Sequence, residues 1–163
     1  MQNFYESQFC TRDQINYILN DTISLVEGNC RKQKIVLVRD IQTGLPDIAG
    51  DEFRLQQGFF NIIYNAIQAM ELVDDRSRQL SIRAETAKFP VVGGKLVDGI
   101  QIQIEDTGPG MDHQTKGKIF NPFFSTKGPT RGKNIGLGLS ILYEVVSGHN
   151  GYVDVDSELG VGT

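Results

Sequence analysis

The sequence predicts an α+β domain. Apolar residues recur at helical spacing in three stretches, after Thr11, after Asp51 and after Gly136. Period-two or strand-like apolar runs occupy the intervals 33–41, 79–89, 96–105 and 152–156. A length of 163 residues suits one domain with a single core.

Residues 1–10 have no clear period and read as a lead-in, so the domain is expected over residues 11–163. Thr11-Arg-Asp-Gln14 fits a capping box. Ile15, Ile18, Leu19, Thr22, Leu25 and Val26 then predict the inner stripe of a helix of about 18 residues. Gln33–Ile41 reads as a strand, ended by turn signals at Gly44-Leu-Pro46 and Ala49-Gly50. Asp51 opens the second helix, an acid where the helix dipole favours one. Phe53, Phe59, Phe60, Ile62, Ile63, Ala66, Ile67 and Met70 are its expected core face. Asp74–Arg78 is a charged loop, and Gln79–Phe89 and Leu96–Glu105 are two strands joined through a hairpin region at Val91–Gly94. An irregular tract spans Asp112–Ile135, long enough to suggest a functional or disordered segment. The third helix starts at Gly136-Leu137-Gly138 and stops at Gly148-His-Asn-Gly151. Tyr152–Asp156 alternates as a last strand.

A net charge of -4 argues against a general nucleic-acid binder. Two cysteines, Cys10 and Cys30, form neither a metal pattern nor a disulfide framework. Residues 1–10 lack the apolar core of a signal peptide, and no apolar run is long enough for a membrane span. A reducing cytoplasm and no membrane contact by this chain are the expectation.

Chemistry concentrates in three places. Ile100–Ile104 alternates as a half-buried strand that delivers Glu105-Asp106-Thr107-Gly108-Pro109-Gly110-Met111. A carboxylate at such a turn can accept from an exocyclic amine, and Gly108 and Gly110 allow close approach of a flat ligand. Asp-x-Gly-x-Gly is equally an ordinary turn. Asn61 and Asn65 lie one turn apart on one edge of the second helix. They are either a hydrogen-bonded amide pair or an edge facing a pocket. Gly136 and Gly138 open a helix after a basic loop, which makes an anion site from free N–H groups and the helix dipole. No Gly-x4-Gly-Lys-Ser/Thr and no strand-borne Gly-x-Gly-x-x-Gly occurs. The three features together suit a nucleoside triphosphate with magnesium, an ion that takes oxygen ligands and keeps several waters.

Four boxes in order then resemble the GHKL superfamily of gyrases, heat-shock chaperones, sensor histidine kinases and MutL proteins. Asn61-Ile-Ile-Tyr-Asn65-Ala-Ile-Gln-Ala-Met resembles the N box, and Asp106-Thr-Gly-Pro-Gly110 the first glycine box. Ile119-Phe-Asn-Pro-Phe-Phe-Ser-Thr-Lys127 is similar to the F box of sensor histidine kinases, and Gly136-Leu-Gly138-Leu to the second glycine box. Ser147–Gly151 and Ser157–Thr163 are similar to the family's closing segment. The wording leans toward the nitrogen-regulation type.

The resemblance implies a two-layer sandwich, a mixed and mostly antiparallel sheet on three helices, with ATP between the helices and a lid. It implies that Asp106 accepts the adenine amino group while Gly108 and Gly110 let the base sit against the turn. It makes Asn65 the magnesium ligand, with Asn61 beside it as the second catalytic position. Where ATPase relatives carry a water-activating glutamate, Asn61 has an amide that cannot act as a base. Phe120, Phe123 and Phe124 would anchor the lid, unless they are simply core. Lys127, Arg131 or Lys133 would reach the phosphates, unless they are a solvated face. Gly136, Leu137 and Gly138 would line the phosphates, and Thr163 would touch the adenine-binding carboxylate.

The implied activity is transfer of the ATP γ-phosphate to a histidine on a dimerisation domain, with a response regulator downstream. The alternatives are a non-catalytic nucleotide-binding module, or a GHKL protein-serine kinase or ATPase. Asn134-Ile135 departs from the usual opening of the second glycine box, and Gln68 stands where many sensor kinases carry a basic residue. Neither His113 nor His149 sits in a phosphoacceptor pattern, so both are expected at the surface or in caps. The chain reads as a catalytic domain without its phosphoacceptor helices, cut before the family's final strand. Its parent is compatible with anchoring in the inner membrane.

Overall fold

The computed structural model describes residues 14–48, 50–90, 93–125 and 136–163. The order is α1 (Gln14–Lys32), β1 (Ile35–Ile41), α2 (Glu52–Met70), β2 (Arg78–Pro90), β3 (Leu96–Asp106), α3 (His113–Lys116) and α4 (Gly138–Gly148). The expected Thr11 cap lies outside the described residues.

On α1 the buried stripe is Ile15, Ile18, Leu19, Thr22, Ile23, Val26 and Cys30. Leu25, expected on it, is exposed; Ile23 takes its place, being one turn from Leu19 and from Val26. The buried Thr22 hydroxyl donates to the Ile18 carbonyl at 2.7 Å, which removes the cost of an unpaired polar group. Burial pushes the Cys30 thiol above its ordinary proton affinity, and its sulfur forms no disulfide.

Asp51 caps α2, its carboxylate accepting from the Arg54 N–H at 3.1 Å. Leu55, Gly58, Phe59, Ile63, Ala66, Ile67 and Met70 are buried. Phe53 corrects the expected face: it is exposed in the first turn, and Leu55 goes in instead. Phe60 and Ile62 pack at the margin of the core. At Gly58 α4 packs close: a Cβ there would lie 3.2 Å from Leu142 Cδ1 and 3.8 Å from its Cα.

The described strands form one sheet in the order β1-β2-β3. It is mixed: β1 runs parallel to β2, and β2 antiparallel to β3. A parallel pair needs a crossover, and α2 is in it. Register decides where the site acid points. Leu80 faces Asp106, Ile82 faces Ile104 and Ala84 faces Ile102. Side chains opposite each other share a face of the sheet. Leu80, Ile82 and Ala84 are core residues, so Asp106 ends an inward row begun by Ile100, Ile102 and Ile104. Helices α1 and α2 pack on the sheet, α1 against β1 and α2 against β2 and β3, and α4 packs on α2.

Two expectations are corrected here. Tyr152–Asp156 forms no ladder, although Val153 and Val155 are more buried than their neighbours. Alternation reported burial, while a strand also requires paired backbone groups; the backbone meets β3 only where Thr163 bonds Asp106. The irregular tract also contains a helical turn, α3, capped by Asp112, whose carboxylate accepts from the Thr115 N–H at 2.7 Å. That bond holds the exposed Asp112 carboxyl below its ordinary range.

Candidate functional site

Because position 106 shares the parity of the apolar row, its carboxylate stands half-buried at the sheet end nearest α2. Burial raises its proton affinity above the ordinary carboxylate value of 3.8, opposed by the Gly108 N–H. That N–H donates to Asp106 Oδ1 at 2.8 Å. The second oxygen, Oδ2, makes no hydrogen bond among the described residues.

The turn after Asp106 is held on three sides. Thr107 bonds the start of β2, its hydroxyl accepting from the Gln79 N–H at 2.8 Å and donating to the Ser77 carbonyl at 3.0 Å. Asp106 and Thr163 exchange backbone bonds of 2.8 and 3.1 Å. The Ser157 hydroxyl accepts from the Met111 N–H at 2.9 Å and lies 3.0 Å from the Thr163 hydroxyl. Thr163 thus adjoins Asp106 through backbone bonds, and its hydroxyl contacts Ser157; the contact with the carboxylate expected of it is not among the described bonds. The glycines also have a structural reason of their own. Gly110 has φ +66, and a Cβ there would fall 1.9 Å from the Glu158 carbonyl oxygen. A Cβ on Gly108 would fall 2.5 Å from the Asp106 carboxylate and 3.2 Å from Ala69 Cβ. Protein, not open space, fills both positions.

Arg76 is the residue that sequence reasoning missed. Its guanidinium donates to the carbonyls of Thr107, Gly108 and Gly160. It thereby ties the acid's turn to the closing Glu158–Gly162 bridge. In the sequence it was one charge in the Asp74–Arg78 loop, and no period or spacing marks a contact across 84 residues.

On the other side, the α2 amides meet the start of α4. Asn61 Nδ2 donates to the Gly138 carbonyl at 3.4 Å. A Cβ on Gly138 would lie 3.5 Å from Asn61 Cβ and 3.6 Å from Asn65 Nδ2. The Asn65 carboxamide is half-buried. Leu137 gives α4 no side-chain cap, and the first-turn N–H groups of a helix have no partner within the helix. Gly136, with φ +71, packs where a Cβ would lie 2.6 Å from the Phe124 carbonyl, and its own carbonyl accepts from the Phe123 N–H at 3.0 Å. Phe120 rests on Tyr143 of α4, ring centroids 5.6 Å apart. Phe123 does not anchor by its ring: it is 72% exposed, with φ 65. Lys127, Arg131, Lys133 and Asn134-Ile135 lie outside the described residues.

His149 is a cap, as expected. Its Nδ1 lies 2.6 Å from the Val145 carbonyl and its Nε2 accepts from the Asp51 N–H at 2.9 Å. Those roles require the neutral Nδ1–H tautomer, and they join the end of α4 to the start of α2. His113 is exposed on α3. Among the described residues no three His, Cys, Asp or Glu side chains converge, so a metal here would draw most ligands from phosphate and water. No helix among them is long and apolar enough to cross a membrane.

An inward acid on a braced turn, an amide edge and an uncapped helix start outline a nucleotide-binding domain of the ATPase class. Residues 50–163 match the family described as histidine kinase-, DNA gyrase B-, and HSP90-like ATPase, and the chain belongs to that family. It is 31% identical over 148 residues to the sensory histidine kinase/phosphatase NtrB of Vibrio alginolyticus, covering 90% of this chain and 40% of that relative. Among solved structures it is similar to the catalytic domain of the histidine kinase ThkA, with a TM-score of 0.66 at 25% identity over 87% of this chain and 82% of that one. It is also similar to full-length ShkA in complex with AMPPNP, with a TM-score of 0.72 at 27% identity over 96% of this chain and 30% of that one. The fold is that of a histidine kinase catalytic domain. The chain spans well under half the length of the NtrB relative it matches.

Proposed function

We propose that this chain is the ATP-binding catalytic domain of a two-component sensor histidine kinase. It holds Mg-ATP and passes the γ-phosphate to a histidine on a dimerisation domain of the same parent, with a response regulator as the next acceptor. In this reading residues 11–163 are the catalytic domain, residues 1–10 lead in from the dimerisation domain, and the domain works in the cytoplasm.

The observation that carries the reading is the inward Asp106 with one oxygen fixed and the other uncommitted. Oδ2 accepts from the adenine amino group, while the Gly108 bond sets its direction. The Asn65 amide oxygen suits a magnesium ion, which when bound neutralises charge on the phosphate oxygens. First-turn N–H groups of α4, behind Gly136, Leu137 and Gly138, receive the phosphates, and Lys127, Arg131 or Lys133 adds positive charge. In the transfer the bond from the γ-phosphorus to the bridging oxygen breaks, a bond to the acceptor imidazole nitrogen forms, and ADP leaves. The chain's own part is positioning and charge neutralisation, with no covalent intermediate on it. Asn61 supplies an amide where hydrolysis needs a base, which disfavours a free ATPase.

The test is to mix the chain with γ-labelled ATP, magnesium and the parent's dimerisation domain. Acid-labile phosphate on that domain is expected. Tight nucleotide binding with no labelling would replace this reading with a non-catalytic nucleotide-binding module.

A further inference from the structure

We infer that Arg76 is a positioning residue for base recognition, acting through the carbonyls of Thr107, Gly108 and Gly160. The inference rests on the reading of Asp106 as the adenine acceptor. The Gly108 peptide does two things at once: its N–H fixes Asp106 Oδ1, and the same residue's carbonyl accepts from Arg76. Arg76 also bonds the Thr107 carbonyl through two nitrogens, at 3.3 and 3.2 Å. A guanidinium offers five N–H donors in a rigid plane, so one side chain can serve three carbonyls on two segments. Lysine, a point charge on a flexible stem, cannot hold that geometry.

Arg76 touches no carboxylate of the turn and is not a counter-ion to Asp106: the influences on that acid are burial and the Gly108 N–H. Its effect passes through backbone. It also sits in the loop directly after α2, the helix that carries Asn61 and Asn65, so the metal-side helix and the base-side turn share this one brace. Without it, the Thr107 and Gly108 carbonyls lose their charged donor and the peptides that aim Asp106 are held less firmly, while the Gly160 N–H still donates to the Pro109 carbonyl at 2.7 Å.

The experiment titrates the 163-residue chain with ATP and with inosine triphosphate, which lacks the exocyclic amine. Wild type is expected to prefer ATP; no preference would sink the Asp106 reading and the Arg76 inference with it. Arg76→Ala is expected to bind ATP about tenfold more weakly, the change that 1.4 kcal/mol makes. Its binding of inosine triphosphate should barely move, so the preference collapses. Methylguanidinium added to the variant should restore the preference. Equal losses for both nucleotides, with a preserved ratio and no rescue, would make Arg76 merely structural and overturn the inference. If Arg76→Ala does not fold, Arg76→Lys decides on the same ratio, which should fall toward unity; an unchanged ratio overturns the inference.

Discussion

Around Asp106 the chain makes a dense set of its own hydrogen bonds; where α2 meets the start of α4, fewer are made among the described residues. The base side carries the Gly108 bond, the paired Asp106–Thr163 backbone, the Ser157 hydroxyl and the three-carbonyl reach of Arg76. Among the described residues the phosphate side carries the 3.4 Å bond from Asn61 to Gly138 and a helix start with no side-chain cap. The difference teaches a division of labour. Selectivity for a base needs a donor–acceptor set whose geometry is fixed before the ligand arrives. A triphosphate with its metal brings charge and oxygens of its own, so that side needs unspent donors.

The largest effect should come from Asp106→Asn. Losing the charged acceptor for an amine should cost about 3 kcal/mol, roughly hundredfold in ATP Kd. Calorimetry checks this against ligand-free melting, which should not fall, because the amide oxygen can still accept from Gly108. The sign of the pH effect follows from the raised proton affinity of Asp106. Between its unfolded and folded values the native state binds more protons, so stability falls as pH rises through that window. In the range just above 3.8, the ligand-free stability of wild type relative to Asp106→Asn should fall with rising pH. Equal drops in affinity and melting temperature would make Asp106 structural.

Next comes a paired glycine test of the two regions. Gly110→Ala should cost about 2 kcal/mol or more, since alanine resists that backbone angle and meets a carbonyl. Gly138→Ala has ordinary contact distances, the nearest 3.5 Å, so ligand-free stability should stay within about 0.5 kcal/mol. Thermal melts of both variants decide; similar losses would erase the contrast between the braced and the open side.

Asn65→Ala should follow, removing the magnesium dependence of ATP binding at a cost of about tenfold in Kd. Binding measured with and without magnesium tests this, and a surviving dependence would reassign the ligand. Smallest is His149→Ala, expected to lower stability by about 1 kcal/mol through loss of the bonds to Asp51 and Val145. Wild-type stability in that variant would show the staple to be idle.

Much of the fold was legible because local rules agree with it. The α2 face, its Asp51 cap and the alternation of β3 all follow from period and capping chemistry. Where single residues failed, the reason is local: Phe53 and Leu25 fit the helical period loosely and turned outward. Tyr152–Asp156 alternates in burial, yet pairing depends on a neighbouring strand, which alternation does not encode. The site's acid, amides and glycines were legible as motifs. The reason Gly110 must be glycine was not, because the blocking carbonyl belongs to Glu158, distant in sequence. Arg76 was invisible for the same cause: its partners are backbone atoms, which carry no residue signature.

The most direct measurement is an amide nitrogen–proton spectrum of the chain titrated with Mg-ATP. Gly108 and Thr163 on the base side should shift together with Gly138, Leu139 and Ser140 at the start of α4. Shifts elsewhere, or none at millimolar nucleotide with the chain folded, would contradict the placement of ATP between an acid-tipped strand and an open helix end.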